Sequence, residues 1–433
     1  MKAAAIGQFL LLIMACSAVT CSSADANETD LLSLLDFKRS ITLDPQQALA
    51  SWNHSTHFCS WEGILCTTTS PRRVASIRLE RRGLVGQISP SLGNLTFLRN
   101  LSLATNRFTG GIPPSLGHLQ QLQYLFLSNN TLQGTIPSFA NCSRLRVLWL
   151  HRNGLVGPFP TELPPGLRQL QISVNDLAGT IPASLSNITM LDAISCADNH
   201  FEGSIPDEFA RLQNLQQLYL GANQLSGRFP RAIMNLSALT DLSLALNQFS
   251  GVVPPDLGST LRNLLLLELP VNFFQGVLPE WLGSLENLQK ISLGSNFFNG
   301  TIPSSFSNLT QLAELNLESN RLVGKIPPSF GNLPILKVLN ISNNNLYGSI
   351  PKELFRIPTI VQISLYVNNL DGMIHPDIGN ARQLTDLQLS SNNLSGEIPT
   401  TLGNSGVLEN LYCASQIALH EQQQAHSSSL HII

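Results

Sequence analysis

Apolar and polar positions along the chain follow one pattern, L-x-x-L-x-L-x-x-N-x-L-x-G-x-I-P, of which Leu384 to Pro399 is a complete copy. The pattern restarts at Val74, Leu98, Leu122, Leu145, Leu167, Leu191, Leu215, Leu239, Leu264, Leu288, Leu312, Leu336, Ile360 and Leu384, fourteen copies spaced 22 to 25 residues apart. A further copy begins at Leu408 and loses the pattern after Cys413. Positions four to six alternate with period two, which predicts a short strand with leucines inward and positions three, five and seven outward. Asparagine holds position nine in thirteen copies, and Arg82 replaces it in the first. A short amide that donates and accepts is expected to tie the turn after each strand to the backbone of the next coil. Leu or Phe at position eleven reads as a stacked apolar spine. Glycine at position thirteen of every copy marks a tight turn. Proline at position sixteen, replaced only by Ser89 and His375, breaks helix and sets the return of the chain.

Self-similarity at this period is the mark of a leucine-rich repeat, whose units cannot bury their leucines alone and must stack. The expected fold is an α/β solenoid with a concave parallel sheet and one continuous core. Four segments follow: a signal peptide (1–24), an N-terminal cap (25–73), the repeats (74–412) and a disordered polar tail (413–433).

The flanks refine this picture. Lys2, the apolar run Phe9 to Val19, and the small residues Ser22 and Ala24 make a secretory signal that is too short to span a bilayer. Cys16 and Cys21 would leave with it. Glu28 to Ile41 reads as an amphipathic helix with Leu31, Leu34, Leu35 and Ile41 near one face and Thr29 or Asp30 as N-cap. Asp44-Pro45 is expected to start a second short helix. In an exported chain Cys59 and Cys66, with Trp61 between them, read as a disulfide closing a cap over the first repeat. No second pair at metal spacing supports zinc. Cys196 and Cys413 replace an inward leucine and are expected to be buried, and Cys142 is expected to be a partly covered thiol on a convex turn. No hydrophobic segment long enough to cross a membrane follows the repeats.

The segments ETDLLSLLDFKRSI and W-x6-C-x-W-x-G-I-x-C, followed by repeats ending G-x-I-P, resemble the ectodomains of plant leucine-rich-repeat receptor kinases. The resemblance is to the immune-receptor subfamily, over residues 1 to about 412. It implies a right-handed superhelix with an extra convex sheet, extracellular display in the apoplast, and recognition of a peptide or protein in defence or signalling. It also implies a co-receptor kinase ectodomain as partner. The chain carries no transmembrane or kinase region, so a truncated or soluble form is expected, at the cell surface if a fuller form has a membrane helix. The alternative is a secreted inhibitor of microbial polygalacturonases. Those proteins have fewer repeats and cysteine caps at both ends.

Chemistry narrows the function further. Charged residues make up 12% of the chain with net charge −3 and no basic run, which argues against nucleic acid. Histidines are scattered, Asp and Glu form no evident pair, and no catalytic motif occurs, so neither an enzyme nor a cofactor is expected. The outward positions concentrate aromatics between the third and seventh copies. Tyr124, Phe126, Trp149, His151, Arg152, Gln171 and Tyr219 are the candidate ligand-binding residues. Sequons lie at Asn27, Asn53, Asn94, Asn100, Asn129, Asn141, Asn187, Asn235, Asn299, Asn308, Asn340 and Asn393, and over half are expected to carry glycan. A glycan at Asn340 would obstruct the far concave face.

Overall fold

In the computed structural model each repeat becomes one coil with a short strand, five residues long in the first repeat and three in those that follow, whose inward residue is Leu or Ile. The structure describes residues 27–255, 257–404, 407–413 and 431–432. The signal peptide and nearly all of the polar tail lie outside them. Two units are distinguished, Met1–His200 and Phe201–Ile433.

The first unit stacks the strands Val74–Arg78, Asn100–Ser102, Tyr124–Phe126, Val147–Trp149, Gln169–Gln171 and Ala193–Ser195, paired in parallel and in register. In the second unit the same sheet pattern runs from Gln217–Tyr219 to Asn410–Tyr412, which pairs in parallel with His431–Ile432. The inward leucines, for example Leu101, Leu125 and Leu148, are fully buried, as are the spine residues Phe108, Phe249, Phe274 and Phe298. A second ladder of parallel strands follows the position-nine turn in both units, as in Val85–Gln87 with Arg107–Thr109 and Phe273–Val277 with Phe297–Gly300. This is the extra sheet that the resemblance implied.

The asparagine column works as expected but in the opposite direction along the chain. Asn106 donates to Leu79 O of the coil before it (2.8 Å), and its Oδ1 accepts from Leu84 N (3.0 Å). Each amide therefore ties its turn to the preceding coil. The first repeat has no preceding coil, and Arg82 instead pairs with Glu62 of the cap. All fourteen position-thirteen glycines have positive φ, from 73° to 156°.

Proline at position sixteen does not exclude helix. Extended prolines with φ from −62° at Pro113 to −77° at Pro182 precede short 3-10 helices. A fixed φ and a missing N–H suit the residue that enters a helix. The two exceptions supply what proline lacks. Ser89 Oγ accepts from Ser91 N, and His375 Nδ1 accepts from Asp377 N.

The cap differs from expectation in three places. Its α-helix covers 27–39, with Leu34 and Phe37 fully buried, and Ile41 begins a strand, Ile41–Leu43, antiparallel to Val85–Gln87. Asp30 is not a cap. It is fully buried, its carboxylate grips the Arg73 guanidinium at 2.7 and 2.9 Å, and it accepts from Val74 N. Residues after Asp44 form turns rather than a second helix, with the Asp44 carboxylate accepting from Ala48 N and Leu49 N. Cys59 and Cys66 are bonded, and Trp61 stacks on Trp52 at 5.4 Å. Ile64–Cys66 pairs antiparallel with Val74–Arg78, so the cap closes the edge of the first repeat. Cys142 is completely buried, with its Sγ 3.4 Å from Leu116 O and Gly117 O, and burial pushes its thiol up to about 11. Cys196 is also fully buried and Cys413 half-buried.

Candidate ligand-binding surface

Outward residues of adjacent strands meet because the register is exact from coil to coil. Phe126 is the direct partner of Trp149, and Trp149 of Gln171. The Tyr124 and Phe126 rings stack at 6.3 Å, Phe126 meets Trp149 edge-on at 4.9 Å, and Trp149 lies 6.1 Å from the His151 ring. Edge-to-face and offset contacts at these distances are favourable beyond the area they bury. All four rings and Gln171 remain half-exposed, and Arg152 is exposed at the end of the row with φ 57°. The structure thus brings six of the seven candidates into one surface of the first unit.

Two polar atoms in this surface have no partner. Trp149 Nε1 and His151 Nδ1 are shielded from solvent and make no hydrogen bond in the protein. An unpaired polar atom of this kind carries a desolvation cost that a bound partner can relieve. Burial, and then the charge of Arg152, hold the His151 imidazole below its ordinary range. The ring is therefore neutral near neutral pH.

Tyr219 belongs to the second unit and to a different chemistry. Burial, reinforced by Asp241 and Glu268, pushes its phenol up to about 12. Further along that sheet Lys290 Nζ lies 3.2 Å from both Glu268 and Glu314. Burial alone would lower the Lys290 ammonium, but the two carboxylates outweigh it and hold it above its usual value. Asn340 donates its side-chain N–H to Glu318. This charged row is a set of ion pairs across coils, which the scattered charges did not announce when the chain was read along its length. The signal was present down the columns, where Glu268, Lys290 and Glu314 occupy outward positions of successive copies.

The sequons divide by exposure. Asn53, Asn94, Asn141, Asn187, Asn235, Asn299, Asn308 and Asn393 are exposed, while Asn27, Asn100, Asn129 and Asn340 are half-buried. At Asn340 the nitrogen that would take the sugar is already engaged by Glu318. Ser342 of that sequon is fully buried and donates to Asn340 Oδ1 at 2.6 Å.

Comparison with known proteins places this geometry. Residues 27–67 match the leucine-rich-repeat N-terminal domain, residues 120–164 and 262–322 match leucine-rich-repeat models, and 97–119, 214–236, 336–357 and 383–405 match single repeats. The ectodomain of the Arabidopsis receptor kinase HAESA, solved with an IDA peptide hormone, aligns over 90% of this chain and 70% of its own length, with 31% identity and a TM-score of 0.76. The chain belongs to the family of plant leucine-rich-repeat receptor ectodomains. The PEPR1–AtPEP1 complex also aligns, over 89% of this chain and 55% of that one, with 35% identity and a TM-score of 0.80. HAESA with IDA and the co-receptor SERK1 aligns at 29% identity and a TM-score of 0.63, over 89% and 77% of the two chains. Among curated sequences, the Arabidopsis thaliana receptor-like kinase EFR is 49% identical over 84 residues, 19% of this chain and 8% of that protein. The rice receptor kinase-like protein Xa21 is 46% identical over 82 residues, 18% of this chain and 8% of its own length. The alignments therefore span a small part of these curated receptors. No helix among the described residues is long and apolar enough to cross a membrane.

Proposed function

We propose that the chain is an extracellular recognition module that binds a peptide or protein ligand in plant defence or signalling, alone or with a co-receptor ectodomain. The carrying observation is the half-exposed ring row Tyr124–Phe126–Trp149–His151 with its two unpartnered polar atoms. Aromatic side chains and Arg at the centre of a surface have the composition of binding hot spots. Gln171 and Arg152 flank the row and supply polar contacts at its rim. The relatives support this reading, since PEPR1 and HAESA are solved with the peptides AtPEP1 and IDA.

The test is calorimetric titration of the secreted chain with a peptide panel that includes IDA and AtPEP1, followed by the Phe126→Ala, Trp149→Ala double variant. The expected result is binding of at least one panel peptide, weakened tenfold or more in the variant. Truncating two hot-spot aromatics costs about 2 kcal/mol or more, which is at least that factor. Unchanged affinity in a normally folded variant removes this surface as the site.

A further inference from the structure

The second unit exposes an apolar patch on its second ladder of strands. Phe273 is 50% exposed and Val277 62%, and the Phe273 and Phe297 rings stack at 6.1 Å. Val252 of the preceding strand is exposed at the same edge. Exposed apolar surface on a sheet invites association unless something covers it. Asn299 sits inside this patch. It is the direct partner of Val277 on one side and of Arg321 on the other, and Phe297 lies two residues before it on the same strand. Phe297, Asn299 and Thr301 are all exposed, while Phe298 between them is fully buried. Asn299-Gly300-Thr301 is a sequon.

Two other sequons, at Asn141 and Asn308, also have a phenylalanine two residues earlier. There the rings of Phe139 and Phe306 are fully buried and cannot meet a sugar. Of these three sequons, all among the described residues, Asn299 alone has its preceding phenylalanine exposed on the face of the acceptor amide.

We propose that Asn299 carries an N-linked glycan whose first sugar packs on Val277 and the exposed rim of the Phe273–Phe297 stack. The C–H face of a pyranose is apolar and packs on aromatic and aliphatic surface much as another side chain does. The Arg321 guanidinium, 4.5 Å over the Phe297 ring, stands where it can donate to the sugar's acetamide oxygen. Attachment forms a bond between the oligosaccharide's anomeric carbon and Asn299 Nδ2 and breaks the bond from that carbon to the oxygen of a lipid-linked diphosphate. The diphosphate leaves with its oxygen, and the amide nitrogen loses one proton. A covalently tethered occupant excludes other partners from the patch, because its local concentration is set by its own linkage.

The inference rests on the extracellular reading of the chain, and the experiment separates the two. The full chain is secreted from a eukaryotic host, and glycopeptide mass spectrometry reads occupancy at Asn299 beside Asn94, Asn187 and Asn235. Melting is then measured for Thr301→Ala, Phe297→Ala and the double variant, and for unmutated protein trimmed to single sugars. Expected are an occupied Asn299 and a melting temperature about 2 °C lower in Thr301→Ala. That loss should vanish in the Phe297→Ala background, and trimming to the first sugar should leave the melting temperature in place. An empty Asn299 beside loaded neighbours overturns the proposal, and if that chain elutes as a dimer the patch belongs to a second copy. No sugar at any sequon overturns the extracellular reading along with it. Equal effects of Thr301→Ala in both backgrounds overturn the packing.

Discussion

The two units share one template, yet their outward rows differ. In the first unit the row is aromatic, from Tyr124 to His151, and is held by ring contacts. In the second it is ionic, with Lys290 between Glu268 and Glu314 and with Tyr219 beside Asp241. Folding constrains the inward leucines, asparagines and glycines alike in both. It leaves the outward positions free to vary, and there the units differ. Ring packing is indifferent to salt and ion pairs are not, so the two rows should respond to different perturbations.

The largest expected effect lies beneath the aromatic row, in the cap that closes its stack. Asp30→Ala leaves the buried Arg73 guanidinium without its carboxylate and Val74 N without an acceptor. Breaking a buried pair from one side costs roughly 3–5 kcal/mol. Hydrogen exchange at Leu101 and Leu103 should accelerate sharply in the variant, and unchanged protection there would show that the stack does not depend on the pair.

Titration should separate the rows next. Folding holds the His151 imidazole neutral, whereas the unfolded ring takes up a proton near pH 6.5. Stability therefore falls as the pH drops from about 6.5 towards the lowered folded value. His151→Gln should flatten this acid limb. Tyr219 behaves in the opposite sense. Its unfolded phenol ionises near pH 10 while the folded one waits until about 12, so stability is lost as the pH rises between them. Tyr219→Phe should flatten the alkaline limb. Denaturant melts across the pH range check both, and a limb that survives its substitution belongs to another group.

Much of this was legible before any coordinates. Glycine fills its column in all fourteen copies and asparagine in thirteen, each doing one physical job, so together with the recurring apolar columns they state the coil outright. The bonded Cys59 and Cys66 pair was legible as well. What escaped detection has a common cause. Asp30 and Arg73 lie 43 residues apart and neither is part of the repeat. Ser89 and His375 looked like failures of the proline column, whereas each caps its 3-10 helix with a side chain. The Glu268–Lys290–Glu314 row lies across coils, invisible when the chain is read along its length.

Salt sharpens the contrast with a smaller effect. Lys290→Met removes the cation between two half-exposed carboxylates, which for such surface pairs is worth about 0.2–1 kcal/mol. The deficit should shrink as ionic strength rises, because screening weakens both the pair and the repulsion left behind. Trp149→Ala in the other row should show a deficit independent of salt. A salt-independent Lys290→Met deficit would mean that its aliphatic stem, rather than its charge, contributes.

The smallest effect concerns a feature on which the two units should agree. Position eight of every repeat adopts the left-handed conformation, including Val174 and Val271, each with φ 56°. No single residue type marks that position, so the template gave no sign of it. Left-handed backbone is unfavourable for a β-branched residue and tolerated by asparagine. The coils hold it because the hydrogen-bond ladder runs through it. Val271 N donates to Gly294 O (3.0 Å), and Val271 O accepts from Asn247 N (3.1 Å). Both valine side chains are exposed, 38% at Val174 and 45% at Val271, so replacing them gives up little burial. Val271→Asn should therefore stabilise the protein by roughly 0.5 kcal/mol, and Val174→Asn by the same amount, measured by urea denaturation. Equal gains would assign the strain to the repeat itself. A gain in only one unit would mean that the other valine is held by contacts of its own, and the rows would then differ beyond their outward side chains.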